Sequence, residues 1–530
     1  MAARAHWWGL VLGVSIAFAA SRGAADEKAA DADQAPAKPA ATTKSEDDAA
    51  RARRAADDEY FELYKVFADT MHQVEQNYVK DVDRRELMEA AIRGVLDKLD
   101  PYSNYISPEE ISRFKTSVES QFGGIGIQIT MEGGQLKILS PLVGSPAYRA
   151  GLQAGDAIVA INGKPTAGVS IDDAVKLLKG EAGTGVELAV STASGKKRDV
   201  KLEREIIHVE TVLGDMRKSD DSWDYMLDHD KHIGYIRITS FSRDTAHDLE
   251  AALKQLRKEK LRGLIIDLRF NPGGLLKSAT DIADLFVSEG LIVKTVGRNT
   301  APREVRARRA GTYEGFPIAV LVNRYSASAS EIVSACLQDH HRAIIIGERT
   351  WGKGSVQNVI DLEDGKSALK LTTASYWRPS GKNIHRFPDA KETDEWGVTP
   401  DKGYDIKLSD TETADLLRYR RDRDILLVNH YKTDRLDAPK KEATPGEKAT
   451  KSSDQKSSGN STNEDREGAE QPAANPDKSD QAPASGSAVK PVTSAAKGKS
   501  AEKKKTEFVD RQLQKALEYL NTKFDEDRTS

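Results

Sequence analysis

Asn323-Arg-Tyr-Ser-Ala-Ser328-Ala-Ser-Glu-Ile332 follows the apolar run Pro317-Ile-Ala-Val-Leu-Val322, and Gly347-Glu-Arg-Thr-Trp-Gly-Lys353-Gly-Ser-Val-Gln357 follows Ala343-Ile-Ile-Ile346. Each apolar run is short enough to be a buried strand. The first delivers a serine hydroxyl to a strand-to-helix turn, and the second delivers a lysine flanked by glycines. The same alternation extends outward. Ile233–Ile238 reads as a strand and Ala246 to Leu256 as a helix. Leu264–Leu268 reads as a strand leading through Asn271-Pro-Gly-Gly274 into a helix from about Leu276 to Val287. Strands alternating with helices across 206–432 predict an α/β core.

A serine hydroxyl is a poor nucleophile at neutral pH and needs an adjacent base. An amine serves as that base only if burial disfavours its ammonium form. Lys353, between Gly352 and Gly354 and after Trp351, is placed for such burial. Alone, the serine run is equally a tight helix entry built of small residues. Gln357 lies four residues after Lys353 in the expected strand Ser355 to Leu362. The even spacing puts both side chains on one face, so the amide either orients the lysine amine or sits idle on an edge strand. The Ala329 N–H, opening the helix after Ser328, is a candidate donor to a developing oxyanion.

Competing chemistries fare less well. No Gly-x-Ser-x-Gly elbow surrounds Ser328. His340 and His341, flanked by Asp339 and Arg342, read as a polar helix end, although a Ser/His/Asp arrangement stays open at this level. Gly347-x-x-x-x-Gly352-Lys353 mimics a phosphate loop, but Gly354 stands where Ser or Thr is needed and a strand follows where a helix is needed. No metal-ligand spacing is visible and no cofactor is expected; Cys336, the only cysteine, reads as a small buried residue.

Residues 118–205 form a separate compact pattern. It runs from Gly124-Ile-Gly-Ile-Gln-Ile129 and Leu136–Leu139 as strands to a short helix at Ser145–Leu152. A strand then enters the Asn162-Gly163 turn, followed by a helix from Ile171 to Leu178 and a strand from Val186 to Val190. The order resembles a PDZ domain, with Ile125, Gly126 and Ile127 at its carboxylate-binding loop. Backbone N–H groups there can hold a chain-terminal carboxylate while the peptide adds a strand to the sheet edge. A dinucleotide fingerprint is excluded because no helix follows these glycines.

Taken together, the serine and lysine segments, Gly94 to Tyr105, the PDZ-like unit, Asn271-Pro-Gly-Gly274, Leu371–Tyr376, Pro379-Ser-Gly381 and Gly397–Asp401 resemble the carboxy-terminal processing (tail-specific) proteases. The resemblance implies a Ser/Lys protease core with an inserted PDZ-like β-rich domain, an N-terminal helical pair and a C-terminal closing helix. It implies Ser328 as nucleophile, Lys353 as general base and Gln357 as its orienting partner. Gly274, favoured over Gly273, joins Ala329 as an oxyanion donor, and protein substrates are recognised through their C-termini. Asp510-Arg-Gln-Leu-Gln-Lys-Ala-Leu-Glu-Tyr-Leu520 matches the family's closing helix, so residues 506–525 are expected either to dock on the core or to form a detached interaction helix. The alternative is an inactive or adaptor-dependent PDZ-containing scaffold.

The rest of the 530-residue chain frames these units. Residues 1–25 carry a basic end, an apolar stretch and small residues, as a signal peptide does, with an uncleaved anchor as the rival. Export to the periplasm or cell envelope is the expectation. Residues 26–57 read as a disordered tether and 433–505, without an aromatic residue, as a disordered linker. Within 58–117, Tyr60, Leu63, Phe67, Met71, Val74 and Tyr78 form one apolar helix face. Asp83 and Glu86 open a second helix that Asp100-Pro101 stops. The pair is expected either to pack against a second subunit, giving a homo-oligomer, or to form an intramolecular lid. An adaptor could dock on these helices or on the linker. A net charge of −4, with no basic face carrying aromatics, argues against nucleic acid.

Overall fold

The computed structural model describes residues 44–111, 114, 121–192, 194–299, 301–426 and 508–529. The expected signal segment and the whole of the expected linker lie outside them. Helix α1 spans Lys44–Asn77 and α2 spans Arg84–Leu96. The former begins inside the segment read as a tether. The Ala, Arg and Glu content of its first turns, residues 44–57, favours helix there without an apolar stripe. The Asp83 carboxylate caps α2 by accepting from the Glu86 amide at 2.9 Å. Asp100-Pro101 does not stop this helix, which ends at Leu96. Tyr60, Leu63, Phe67 and Tyr78 remain exposed, so the described residues do not cover the apolar face of α1 as a lid would.

Strand β1 (Asn104–Ile106) belongs to the core, and the chain then enters the PDZ-like unit. Its stalk is β2 (Gln121–Gly124), paired antiparallel with a strand that returns later. Next come β3 (Ile127–Glu132), β4 (Gln135–Pro141), β5 (Ala157–Ile161), α3 (Ile171–Leu178), β6 (Gly185–Ser191), β7 (Lys197–Glu203) and β8 (Glu205–His208), the partner of β2. The sheet order β3-β4-β5-β6-β7 leaves β3 at an edge, beside α3. Ile138, Leu152, Ile158, Ile161, Leu188 and Val190 are buried between the sheet and its helices.

The core is built on four parallel strands in the order β9-β10-β13-β14: β9 (Ile233–Ile238), β10 (Gly263–Asp267), β13 (Ile318–Val322) and β14 (Ile344–Gly347). Helices α4 (Thr245–Lys258), α5 (Leu276–Asp284) and α6 (Ala329–Asp339) pack on one face through Ile236, Leu264, Ile266, Val320 and Val322. A strand alternates faces, so Tyr235, Ile265, Ala319, Leu321 and Ile346 point the other way. They are covered by the last helix, α8 (Arg511–Thr529), through Ala516, Leu520 and Phe524. The closing helix therefore docks on the core. A second, antiparallel sheet combines β1 with β11 (Leu291–Gly297), β12 (Arg303–Arg306), β15 (Ser355–Leu362) and β16 (Ser367–Trp377). Helix α7 (Asp410–Asp424) completes the core.

Ion pairs fasten α8 where hydrophobic contact alone would leave its start loose. Arg269, just past β10, donates to both oxygens of Asp267 (3.0 and 2.7 Å) and of Asp510 (3.0 and 2.8 Å), and to Gln512. Arg420 of α7 and the Tyr235 hydroxyl also bond Asp267, at 3.2 and 2.6 Å. Burial would raise the Asp267 pKa, but the two guanidiniums override it and hold it well below the carboxylate range. Two cations and two anions balance, and removing one partner strands a buried charge. Asp510→Ala is expected to cost about 3–5 kcal/mol of stability, read by urea unfolding. With a folded pKa below its unfolded value, Asp267 contributes stability above about pH 4 that is lost as pH falls further.

Candidate active site

Both loops that carry the expected chemistry leave the carboxyl ends of adjacent parallel strands, where open α/β sheets place their sites. The turn after β10 and the loop after β13 are laced together. The Asn271 carbonyl accepts from the Ala327 amide and the Ser330 hydroxyl, each at 3.0 Å, and the Ser326 hydroxyl donates to the Leu268 carbonyl at 2.8 Å. Between them Ser328 is fully buried, with φ 58° and ψ −112°, a backbone that non-glycine residues rarely adopt. Such strain persists only where surrounding bonds over-determine it.

Here the decisive bonds come from Glu331, one turn into α6. Its Oε2 accepts from the Ser328 amide at 2.7 Å and from the Lys353 amide at 2.8 Å. Its Oε1 accepts from the Gly352 amide at 2.7 Å and the Thr350 hydroxyl at 2.5 Å. One carboxylate thus ties the serine turn to the lysine loop. Burial pushes the Glu331 pKa up, against the pull of the Thr350 hydroxyl and the three amides. Four donors fill the four lone-pair positions of an ionised carboxylate, so we treat it as charged.

Lys353 is buried, its Nζ lying 5.2 Å from the centroid of the Tyr102 ring. Burial, aided by the like charge of Lys370, pulls its pKa down to about 7 against the opposing pull of Glu331 and Asp100. Gln357 is fully buried. Its Nε2 donates to the Ser355 and Thr372 hydroxyls at 2.9 and 3.2 Å, and its Oε1 has no hydrogen-bond partner among the described residues. The amide is therefore held by its neighbours and not by the lysine.

The two expected oxyanion donors fare differently from their neighbour. The Gly273 amide is already spent on the Asn271 side chain at 2.9 Å. The amides of Gly274 and Ala329 donate to no acceptor among the described residues. A Cβ on Gly273 would lie 2.8 Å from the Ser328 Cβ, so glycine lets this turn rest against the serine. A Cβ on Gly274 would lie 2.1 Å from the Phe241 carbonyl oxygen, with φ +149°. Neither position tolerates a side chain.

The profile of peptidase family S41 matches residues 232–402, a PDZ domain profile matches 137–191, and the activating protease CtpB N-terminal domain matches 10–110. The carboxy-terminal-processing protease of Bartonella bacilliformis is 39% identical over 376 residues, covering 68% of this chain and 81% of that protein. This chain belongs to the carboxy-terminal processing proteases. It is a serine-type peptidase. The carboxy-terminal processing protease CtpA of Bacillus subtilis is 36% identical over 331 residues, 62% of this chain and 67% of that one. Among solved structures, the photosystem II D1 C-terminal processing protease aligns with 68% of this chain and 97% of its own, at 29% identity and a TM-score of 0.37.

The PDZ unit of this processing protease carries a groove lined by Phe122, Ile125, Gly126, Ile129, Val175 and Leu178, between the edge of β3 and α3. Gly126 has φ +73°, and a Cβ would lie 2.3 Å from that of Ser145. The amides of Ile125 and Gly126 donate to no acceptor among the described residues; Ile127 opens β3. The strand expected from Gly124 thus begins only at Ile127, since positive φ at Gly126 breaks the extended run.

The histidine alternative fails. His340 bonds the Leu291 carbonyl at 2.7 Å from the far end of α6, and Asp339 pairs with Arg378 at 2.6 Å. Cys336 is buried, its thiol pushed up to about 12 by burial. Among the described residues no acidic, histidine or cysteine cluster fits a metal. Sequence reasoning missed Glu331, Asp100, Tyr102, Lys370 and Thr372. Only Glu331 left a local trace, as an acid three residues past a helix-opening serine. Glu331→Gln places an amide N–H₂ against two N–H donors. It is expected to cost about 3 kcal/mol and to abolish turnover, checked by thermal melting beside peptide cleavage.

Proposed function

We propose that this processing protease is an endopeptidase that uses a Ser328/Lys353 dyad and selects substrates by an unstructured C-terminus bound in the PDZ groove. The observation that carries the reading is the Glu331 carboxylate accepting from the amides of both residues, beside a lysine whose burial makes it half neutral near pH 7. Neutral Lys353 Nζ takes the Ser328 Oγ proton as the oxygen attacks the scissile carbonyl carbon. The carbonyl π electrons move to oxygen, which accepts from the N–H groups of Gly274 and Ala329. The tetrahedral intermediate collapses, the C–N bond breaks, and the lysine ammonium gives its proton to the leaving amine. Water, deprotonated by the same amine, then hydrolyses the acyl-enzyme and regenerates the Ser328 hydroxyl.

At the PDZ unit, the unengaged amides of Ile125 and Gly126 suit a terminal carboxylate. Lys179, which lines the same groove, supplies a positive charge near Phe122 at 4.7 Å from its ring. The substrate would extend along β3 as an added strand. The basic and apolar start of the chain supports export to the envelope, and the uncovered apolar face of α1 supports a self-associating form. Fractionation of cells and sedimentation of the purified protein test these two points.

Cleavage of an unstructured polypeptide ending in small apolar residues is expected to fall by on the order of 10³-fold or more in Ser328→Ala and in Lys353→Ala. Equal turnover in all three proteins overturns the dyad. Because the base must be neutral, kcat is expected to rise with pH through about 7, measured as a pH–rate profile. Gly126→Ala, or amidation of the substrate's C-terminus, is expected to raise KM about 10-fold or more while leaving the chemical step at Ser328 intact. Unchanged KM for both removes the PDZ groove from substrate selection.

A further inference from the structure

The turn Asp100-Pro-Tyr-Ser103 comes from the N-terminal region, yet it reaches the lysine loop and sheet β15–β16. The Asp100 Oδ1 accepts from the amides of Tyr102 and Ser103 at 2.7 and 2.9 Å and from the Thr372 hydroxyl at 3.1 Å. Its Oδ2 accepts from the Ser103 hydroxyl at 2.8 Å. The Ser103 hydroxyl in turn accepts from the Thr372 amide at 3.1 Å. Because the single Thr372 proton is committed to a carboxylate, its oxygen meets Gln357 as an acceptor. That fixes the amide with Nε2 toward Thr372 and leaves Oε1 turned elsewhere, buried and unpartnered. A hydroxyl with one proton makes this chain directional. Tyr102 lies over the Lys353 ammonium at 5.2 Å and accepts from the Trp351 indole at 3.4 Å.

We propose that this turn is a working part of the catalytic centre. Asp100 and Thr372 are positioning residues that lock the Gln357 amide so that its carbonyl oxygen receives an N–H of Lys353 when the lysine carries the proton, and Tyr102 caps the same ammonium. The inference rests on the dyad reading and deepens it. An orphaned buried carbonyl oxygen is costly when empty and satisfied when the ammonium forms, so it stabilises the state in which proton transfer has occurred.

Charges converge on Lys353 from every side. Glu331 faces it from α6, Lys370 from β16 and Asp100 from the turn, while Tyr102 lies over it and the half-buried His385 packs edge-on against Tyr102. Asp100 favours the ammonium of Lys353 and of Lys370, and Lys370 disfavours that of Lys353. Removing each charge therefore moves the lysine in opposite directions. With the Asp100 charge gone the Lys353 ammonium loses stabilisation, so the rising limb shifts to lower pH. With the Lys370 charge gone repulsion ends, so the limb shifts to higher pH.

The test uses the full chain and two readouts, peptide cleavage and the rate at which a fluorophosphonate labels Ser328. Thr372→Val is expected to lower kcat and the labelling rate about 10-fold or more, with KM within about 2-fold, and Thr372→Ser to restore most of the loss. Asp100→Asn and Lys370→Met are expected to shift the rising limb in the opposite senses given above. Wild-type rates and profiles in Thr372→Val and Asp100→Asn, with Ser328→Ala and Lys353→Ala inactive, overturn this inference and leave the dyad standing. Equal losses in Thr372→Val and Thr372→Ser with a lowered melting temperature reduce the turn to a structural element and also overturn it. Turnover surviving in Ser328→Ala or Lys353→Ala defeats the dyad reading itself.

Discussion

Everything at the candidate catalytic centre hangs on one fully buried carboxylate. Glu331 receives the amides of Ser328, Gly352 and Lys353 and the hydroxyl of Thr350. A buried anion is tolerable only when its lone pairs are filled, and here filling them draws two separate loops together. The same bonds hold Ser328 in a strained backbone and hold the lysine loop in a site dry enough to lower an amine's pKa. Position and reactivity thus share a cause. The negative charge of Glu331 also offsets part of the desolvation of Lys353, which keeps its pKa near 7 instead of lower still.

A second buried ionic cluster supports the first from below. Asp267 ends, and Arg269 follows, the strand that leads to the Asn271–Gly274 turn, and Asp510, just ahead of the last helix, completes their charge balance. The far end of the chain thereby stabilises the turn whose glycines rest on Ser328. A buried pair of this kind adds little net stability over an apolar replacement. Its consequence is register, because α8 can cover the Ile265 and Leu321 face in only the one position that also satisfies Arg269 and Gln512.

The N-terminal region takes part as well. The Asp100–Ser103 turn bonds β16 and faces Lys353, while the Tyr60, Leu63 and Phe67 part of the α1 face stays exposed among the described residues. The site is therefore assembled from three stretches distant in sequence, with the PDZ unit inserted between the first and second.

What the sequence by itself determined was everything carried by local pattern. Apolar runs marked the buried parallel strands, and turn residues marked Asn162-Gly163. Spacing of apolar residues marked α8, and the context of Ser328 and Lys353 marked the two loops that meet at the candidate site. Family resemblance implied Gly274 over Gly273 as an oxyanion donor, and in three dimensions the Asn271 side chain takes up the Gly273 amide while the Gly274 amide meets no acceptor among the described residues. Local pattern misjudged α1, whose first turns are helical through propensity without a stripe, and it gave no sign that the Ser355 and Thr372 hydroxyls hold the Gln357 amide. The tertiary structure alone decided the roles of Glu331, Asp100, Thr372 and Lys370. Their importance lies in burial and in bonds or charges that reach across the fold, and neither dielectric environment nor a distant partner leaves a periodic mark on a chain.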